Sequence, residues 1–332
     1  MKPFLKYIVV SLTVVIAFCA CNKAISDEFV SYANNPLNDT TWSNVAYTST
    51  VLNKIIFPEI TKGTTVIDSF DCLGDSKLIF GDSLQILVPA NSCMTINGSP
   101  ITNNGSKITA EISWLKNKGD FIKYAMPTTN VFSLLEASNY CDIRLTKDGQ
   151  EVAIVPNAQV KIRCKDTTAN SNMKFFVGNA IQYARDSVFA WSPSSDGKIA
   201  LLQDNSTGKI WGYEFTTSRI RWFGAANYAD SSVPKTKLNI ILPPNFTNKN
   251  TVVYAVLKNT QTIISLLSNP DNRTFFTLNI PVNTEFTLVA VSKINDDYYF
   301  DSRIIKNASA NPIGLLPYKK PLPDILEIIN KL

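Results

Sequence analysis

Residues 108–114 read Ile108-Thr109-Ala110-Glu111-Ile112-Ser113-Trp114, apolar and polar by turns. Successive side chains of a strand point to opposite faces, so a period of two describes a strand with one buried face. The pattern recurs on both sides. Upstream, Leu84, Ile86 and Val88 alternate with Ser83 and Gln85. Downstream, Ile143 and Leu145 lead through Lys147-Asp148-Gly149-Gln150 to Val152 and Ile154, where Asp-Gly is a hairpin signal. Val160, Ile162 and Cys164 close this first set. The stretch 166–172 is polar and lacks alternation, which marks a domain boundary. Beyond it, strand-like runs follow at 187–191, 198–202, 209–215, 219–223, 237–242, 251–257, 273–280, 285–293 and 298–305. Leu238/Ile240/Leu242 and Phe286/Leu288/Ala290 alternate cleanly. Short strands with one buried face predict an all-β chain of two antiparallel β-sandwich, immunoglobulin-like domains, residues 42–167 and 173–318. Helix is expected only in the tail, 319–332, where Ile325, Ile328, Ile329 and Leu332 form a stripe behind Pro323-Asp324.

Composition agrees with two cores. The chain has 332 residues, 45% of them hydrophobic and 18% charged, which excludes a disordered or fibrous chain. It has no histidine, so Ser-His-Asp and Cys-His catalysis and His-ligated zinc are excluded. No cofactor or metal is expected. The net charge is +5 and spread out, and the basic stripe that nucleic-acid binding needs is missing.

The first twenty residues read as a leader. Lys2 and Lys6 precede an apolar run from Ile8 to Phe18, too short to span a bilayer and ended by Asn22 and Lys23. Phe18-Cys19-Ala20-Cys21 then resembles the lipobox of bacterial lipoproteins, although Phe18 stands where leucine is usual. The resemblance implies cleavage before Cys21 and acylation of that residue, with the outer membrane of the cell envelope as location. Residues 21–41 read as a lipidated end and flexible linker. Within it, Ser26-Asp27-Glu28-Phe29 is similar to the acidic surface-export signal of Bacteroidetes lipoproteins, which leaves a periplasmic and a surface-exposed face both open.

A second resemblance covers about a quarter of the chain. Leu84-Gln85-Ile86-Leu87-Val88-Pro89-Ala90, Met126-Pro127-Thr128, Leu134-Leu135-Glu136 and Thr146-Lys147-Asp148-Gly149 resemble the β-sandwich module shared by ankyrins, netrin receptors and zonula occludens proteins. In that family the module binds partners, so a non-enzymatic binding role is implied. Some relatives cut themselves at His-Phe-Ser. Here Val131 precedes Phe132-Ser133, and no such cleavage is expected.

The residues nominate several sites. Cys72, Cys93, Cys141 and Cys164 are an even set in an exported chain, with Cys72–Cys93 and Cys141–Cys164 as candidate disulfides and buried free thiols as the alternative. Trp211, Tyr213, Trp222 and Tyr298 are candidate ligand-facing aromatics, because an aromatic face suits the CH face of a sugar; the alternative is core filling. Trp222 and Phe223 are consecutive and so point to opposite faces. Glu111, Glu136, Glu151, Glu214 and Glu285 are the acids from which a glycoside hydrolase would draw its pair. Asp39-Thr40-Thr41 and Asp166-Thr167-Thr168 fit a Bacteroidetes O-glycosylation pattern at Thr40 and Thr167. The partners expected are the membrane, through the lipid anchor, and either another envelope protein or a polysaccharide.

Overall fold

Why so many period-two segments give one body is visible in a computed structural model of the chain. It describes residues 35–44, 49–58, 65–102, 107–130, 133–183, 186–204, 207–229, 232–309 and 311–332. The leader, Cys21 and the acidic tetrapeptide at 26–29 lie outside the described residues. Contacts divide the chain into residues 1–39 and 40–332. In the first unit, Pro36–Asn38 form a 3-10 turn, capped by Asn35, whose Oδ1 accepts from the Leu37 amide at 3.0 Å.

The second unit begins with helix α1 (Ser49–Ile56) and strands β1 (Thr65–Phe70), β2 (Ser76–Phe80), β3 (Leu84–Val88), β4 (Cys93–Thr95) and β5 (Ile108–Leu115). Helix α2 (Lys118–Lys123) follows, then β6 (Leu135–Lys147), β7 (Gln150–Ile154), β8 (Val160–Lys165), β9 (Lys174–Tyr183), β10 (Asp186–Pro193), β11 (Gly197–Gln203), β12 (Ile210–Thr217) and β13 (Phe223–Tyr228). These strands form two sheets. The first runs β1-β5-β6-β13-β9-β10, with β7 and β4 attached beside β6; the second runs β11-β12-β8-β3-β2. The β6–β7 hairpin turns at Asp148 and Gly149, both with positive φ (51° and 77°), which is what Asp-Gly supplies most cheaply.

A second pair of sheets is built from β14 (Lys235–Ile241), β15 (Thr251–Leu257), β16 (Ile263–Ser265), β17 (Leu267–Asn269), β18 (Thr274–Pro281), β19 (Phe286–Ile294), β20 (Asp297–Ile305), β21 (Ile313–Gly314) and β22 (Tyr318–Lys319). Its orders are β17-β18-β14-β21 and β16-β15-β19-β20-β22. Pairing is antiparallel except between β14 and β21. Helix α3 (Leu322–Asn330) ends the chain. The fold is therefore all-β and antiparallel, with a short C-terminal helix.

The expected boundary at 166–172 does not separate the sheets. Strands on either side of it pair together: β8 with β12, and β6 with β13. The segment is a turn pinned by Asp166, whose carboxylate accepts from the Thr168 amide at 2.8 Å, from the Asn139 amide group at 3.2 Å and from the Ser138 hydroxyl. Its polarity meets the needs of a tight exposed turn and says nothing of a linker. The passage from one pair of sheets to the other falls between Tyr228 and Lys235.

Three apolar layers hold the body together. Ile112, Ile143 and Phe223 of the first sheet meet Ile86, Ile162 and Phe215 of the second. Leu238, Ile240 and Phe275 meet Val253, Leu288 and Ala290 in the other pair. The third layer joins the two pairs: Tyr140, Phe176 and Trp191 from the first sheet and Tyr254, Val289 and Phe300 from the β15–β20 sheet close on all three helices. The helices supply Leu52 and Ile56 from α1, Phe121 and Ile122 from α2, and Ile325 and Ile329 from α3. Helix is thus not confined to the tail. Gly119 lets α2 lie directly on α3, because a Cβ there would stand 2.7 Å from the Ile329 carbonyl oxygen. No helix among the described residues is long and apolar enough to cross a membrane.

Candidate functional site

The alternation that sends Ala110, Ile112, Ile143 and Leu145 inward sends Glu111, Ser113, Asp142 and Arg144 to the opposite face of the first sheet. Register then sets them side by side: Glu111 lies opposite Arg144, Ser113 opposite Asp142, and Thr65 of β1 opposite Ser113. These residues line a cleft of about 540 Å³. Asn53, Lys54, Phe57 and Pro58 reach it from α1 and its end. Lys123, Tyr124 and Met126 reach it from α2 and the turn that follows, and Phe189, Arg221 and Trp222 from β10 and the β12–β13 loop.

An ion-paired frame organises the loop. Arg221 forks onto Asp142, with Nε 2.6 Å from Oδ1 and Nη2 3.2 Å from Oδ2, and its Nη1 donates to Glu151 at 3.0 Å. Asp142 is buried and also accepts the Trp222 amide at 3.2 Å. The hydrogen bond from Arg221 to Asp142 raises the already high guanidinium pKa, so the cation is permanent. Trp222 has a φ of +39°. A bulky residue in that region is a genuine outlier, and such conformations persist only where the surroundings over-determine them. Here the Asp142 carboxylate holds the amide, and the Gly178 amide donates to the Trp222 carbonyl at 2.8 Å. The half-buried indole meets Tyr124, Phe189 and Trp191 edge to face, at centroid distances of 6.2, 6.2 and 6.4 Å. The side chains of Lys54, Glu111 and Arg144 are exposed in the cleft and have no hydrogen-bond or ion-pair partner among the described residues.

This frame gives a first prediction. Asp142→Ala removes the acceptor of the Arg221 fork and of the strained amide. Arg221 is 39% exposed, so water screens the pair, and the expected loss is about 1–2 kcal/mol in urea denaturation. Unchanged stability would mean that the loop is held without Asp142.

Of the aromatics nominated by sequence, Trp222 alone lines the cleft. Tyr213 does not face a ligand: it is 1% exposed in the first core, with its hydroxyl donating to the Asn170 carbonyl and accepting the Asn170 amide. Trp211 is half-buried at an irregularity of β12, where Ile210 pairs Gln203 and Gly212 pairs Leu202. Tyr298 is half-buried against the third layer, with Lys293 Nζ 5.4 Å from its ring centroid. Phe223 is fully buried in the first core, on the other side of the sheet from Trp222.

The acids are dispersed. Glu214 pairs with Arg163 at 2.8 Å, Glu285 with Lys258 at 2.9 Å and Glu151 with Arg221. Glu136 is half-buried on β6 and does not line the cleft; Glu111 does. Thr167 sits in the exposed turn after β8, and Thr40 is half-buried. Among the described residues, no three His, Cys, Asp or Glu side chains gather to hold a metal ion. The four described cysteines are buried thiols. Lys54, Arg144 and Arg221 were not legible as site residues, because residues 54, 144 and 221 become neighbours only through α1 and sheet register. No protein-family model and no curated protein matches the chain.

Proposed function

We propose that the chain is a lipid-anchored cell-envelope protein, processed before Cys21 and acylated there, that works as a non-enzymatic binding module through this cleft. The observation that carries the binding role is the pairing of a strained, half-buried Trp222 with three charged side chains, Lys54, Glu111 and Arg144, that have no partner among the described residues, in one concavity. Ligand sites combine an apolar surface with a few convergent polar groups in this way. The state of the acids favours binding over hydrolysis. Glycoside hydrolysis needs two working carboxylates about 5–9 Å apart. Asp142 is committed to Arg221, which leaves Glu111 as the one unpaired cleft carboxylate among the described residues. The location rests on the Lys2/Lys6 leader and the Cys21 lipobox resemblance.

A glycan is the second reading for the ligand, favoured by Trp222, Phe189 and Tyr124 beside Glu111 and Arg144. An aromatic face takes the CH face of a sugar while charged neighbours take its hydroxyls. Two measurements test these readings. Mass spectrometry of the native protein should find a new N-terminus at Cys21 carrying acyl chains; an intact leader overturns the location. Binding to a glycan array and co-purification from solubilised envelopes should each be compared with Trp222→Ala. Loss of about tenfold or more in affinity for the retained ligand is expected, and an unchanged profile rejects the cleft. Polysaccharide hydrolysis abolished by Glu111→Gln would overturn the non-enzymatic role.

A further inference from the structure

We infer that the first pair of sheets is covalently stapled by two disulfides, Cys141–Cys164 and Cys72–Cys93. Cys141 lies on β6 of the first sheet and Cys164 on β8 of the second, two strands that no ladder joins. Across the core between them, their sulfurs stand 3.8 Å apart. A disulfide needs that contact to shorten to roughly 2.05 Å. Cys72 lies in the connection from β1 to β2, where the chain crosses from the first sheet to the second, and Cys93 begins β4 of the first sheet. The Asn91 amide donates to the Cys72 carbonyl at 2.7 Å, which draws the start of β4 onto that crossing, and the Cys72 thiol is near enough to help raise the pKa of Cys93. All four side chains are at most 1% exposed and belong to one core. The fold has sorted four cysteines into one contacting pair and one neighbouring pair, with none left over among the described residues.

Each bridge forms by thiol–disulfide exchange with an external disulfide, either that of a dithiol oxidase or oxidised glutathione. One cysteine thiolate attacks the oxidant, and one oxidant sulfur leaves as a thiolate. The second cysteine, deprotonated, attacks the mixed disulfide at the protein sulfur, the S–S bond closes, and the other oxidant sulfur leaves. Two electrons per bridge pass to the oxidant, which takes up two protons and becomes a dithiol or two thiols. The folded core blocks this chemistry. Burial pushes Cys93 up to about 12 and Cys164 well above the usual thiol range, so thiolate is scarce and no oxidant reaches it. The bonds therefore close during folding, as the two sheets come together and before the finished core shuts out the oxidant. In the cell, the supply of oxidant rests on the export proposed above; the pairing itself is a property of the fold.

The test separates the two. The chain with Cys19→Ser and Cys21→Ser is refolded from denaturant in a glutathione redox buffer, alkylated and mapped without reduction. Two cross-linked peptides are expected, joining residue 141 to 164 and 72 to 93. Refolding under full reduction should lower the melting temperature by roughly 10 °C, and Cys141→Ala/Cys164→Ala by about half of that. Four alkylated thiols, or a Cys72–Cys141 or Cys93–Cys164 link, overturn the inference. So does native envelope protein that carries acyl groups on Cys21 and four free thiols, a result that leaves the location intact. An intact leader in the native protein fails the location alone, since the refolding result does not depend on it.

Discussion

Replacing Trp191 with alanine is expected to destabilise the body by about 5 kcal/mol and to lower its melting temperature by roughly 10 °C. Trp191 is the largest of the fully buried side chains. It packs on Tyr140 at a tilt of 35° with ring centroids 3.7 Å apart, meets Phe189 and Trp222 edge to face, and donates from Nε1 to the Pro127 carbonyl at 3.0 Å. Emptying a site of that size costs about 3–5 kcal/mol, and stranding a buried carbonyl adds about 1–3. The Pro127 segment is also the seam between the two pairs of sheets. Next to it, Thr128 exchanges backbone hydrogen bonds with the chain at Ile263 and Leu135, and its hydroxyl accepts the Ile263 amide at 2.8 Å. Trp191→Ala should therefore loosen the third layer and tilt Trp222, so cleft binding falls together with stability. Trp191→Phe keeps a ring and removes the donor, and is expected to cost less than half as much. Tyr140→Phe is the control on the same pair. The Tyr140 hydroxyl is buried and has no hydrogen-bond partner among the described residues, so its removal should leave stability equal or slightly higher. Thermal unfolding followed by circular dichroism checks all three. A Trp191→Ala loss under about 2 kcal/mol would show that the layer closes over the gap.

The ease with which strands were read, and the difficulty of the cleft, have one physical origin. A strand buried on one face writes its burial as alternation. Leu84, Ile86 and Val88 are all inside, as are Val160, Ile162 and Cys164. A strand buried on both faces writes nothing periodic. Strand β9, Lys174–Tyr183, escaped the sequence reading for that reason: Phe175 and Val177 face the first core, while Phe176 between them faces the third layer. The predicted run at 219–223 is the loop before β13 up to Trp222, and only Phe223 belongs to the strand, so its two aromatics fall on opposite sides of the sheet. Helix α1 spans only eight residues; its Leu52 and Ile56, four apart, are a signal easily taken for an apolar strand. Glu111, Asp142 and Arg221 each satisfy a local rule as solvated residues of strand or loop. Their meeting depends on register between β5 and β6 and on a turn 79 residues beyond Asp142, and neither leaves a local mark.

Gly224→Ala should cost more than about 3 kcal/mol, near the upper end of overpacking effects, because the obstacle is backbone. Gly224 pairs with Tyr140 where β13 lies on β6. A Cβ there would stand 2.1 Å from Tyr140 Cδ1, 2.4 Å from the Asn139 carbonyl oxygen and 2.9 Å from Tyr140 Cα. The tyrosine ring cannot swing away, since Trp191 and Phe121 hold it. Strand β13 must therefore lift from β6. Its irregular register between Gly224 and Ala226 gives the weakest point at which to do so. Lifting begins two residues after Trp222, so the Asp142 contact to the strained amide lengthens, and the cleft loses both its indole and its Arg221 frame. Affinity for the cleft ligand should fall more steeply than for Asp142→Ala, which leaves the strand in place. Gly74→Ala controls for the loss of a glycine as such: nothing lies within 4 Å of a Cβ at that exposed position, and the change should stay within about 0.5 kcal/mol of the parent. If Gly224→Ala behaved like Gly74→Ala in urea denaturation, β13 would not be seated against β6 as described, and the geometry that positions Trp222 would fall with it.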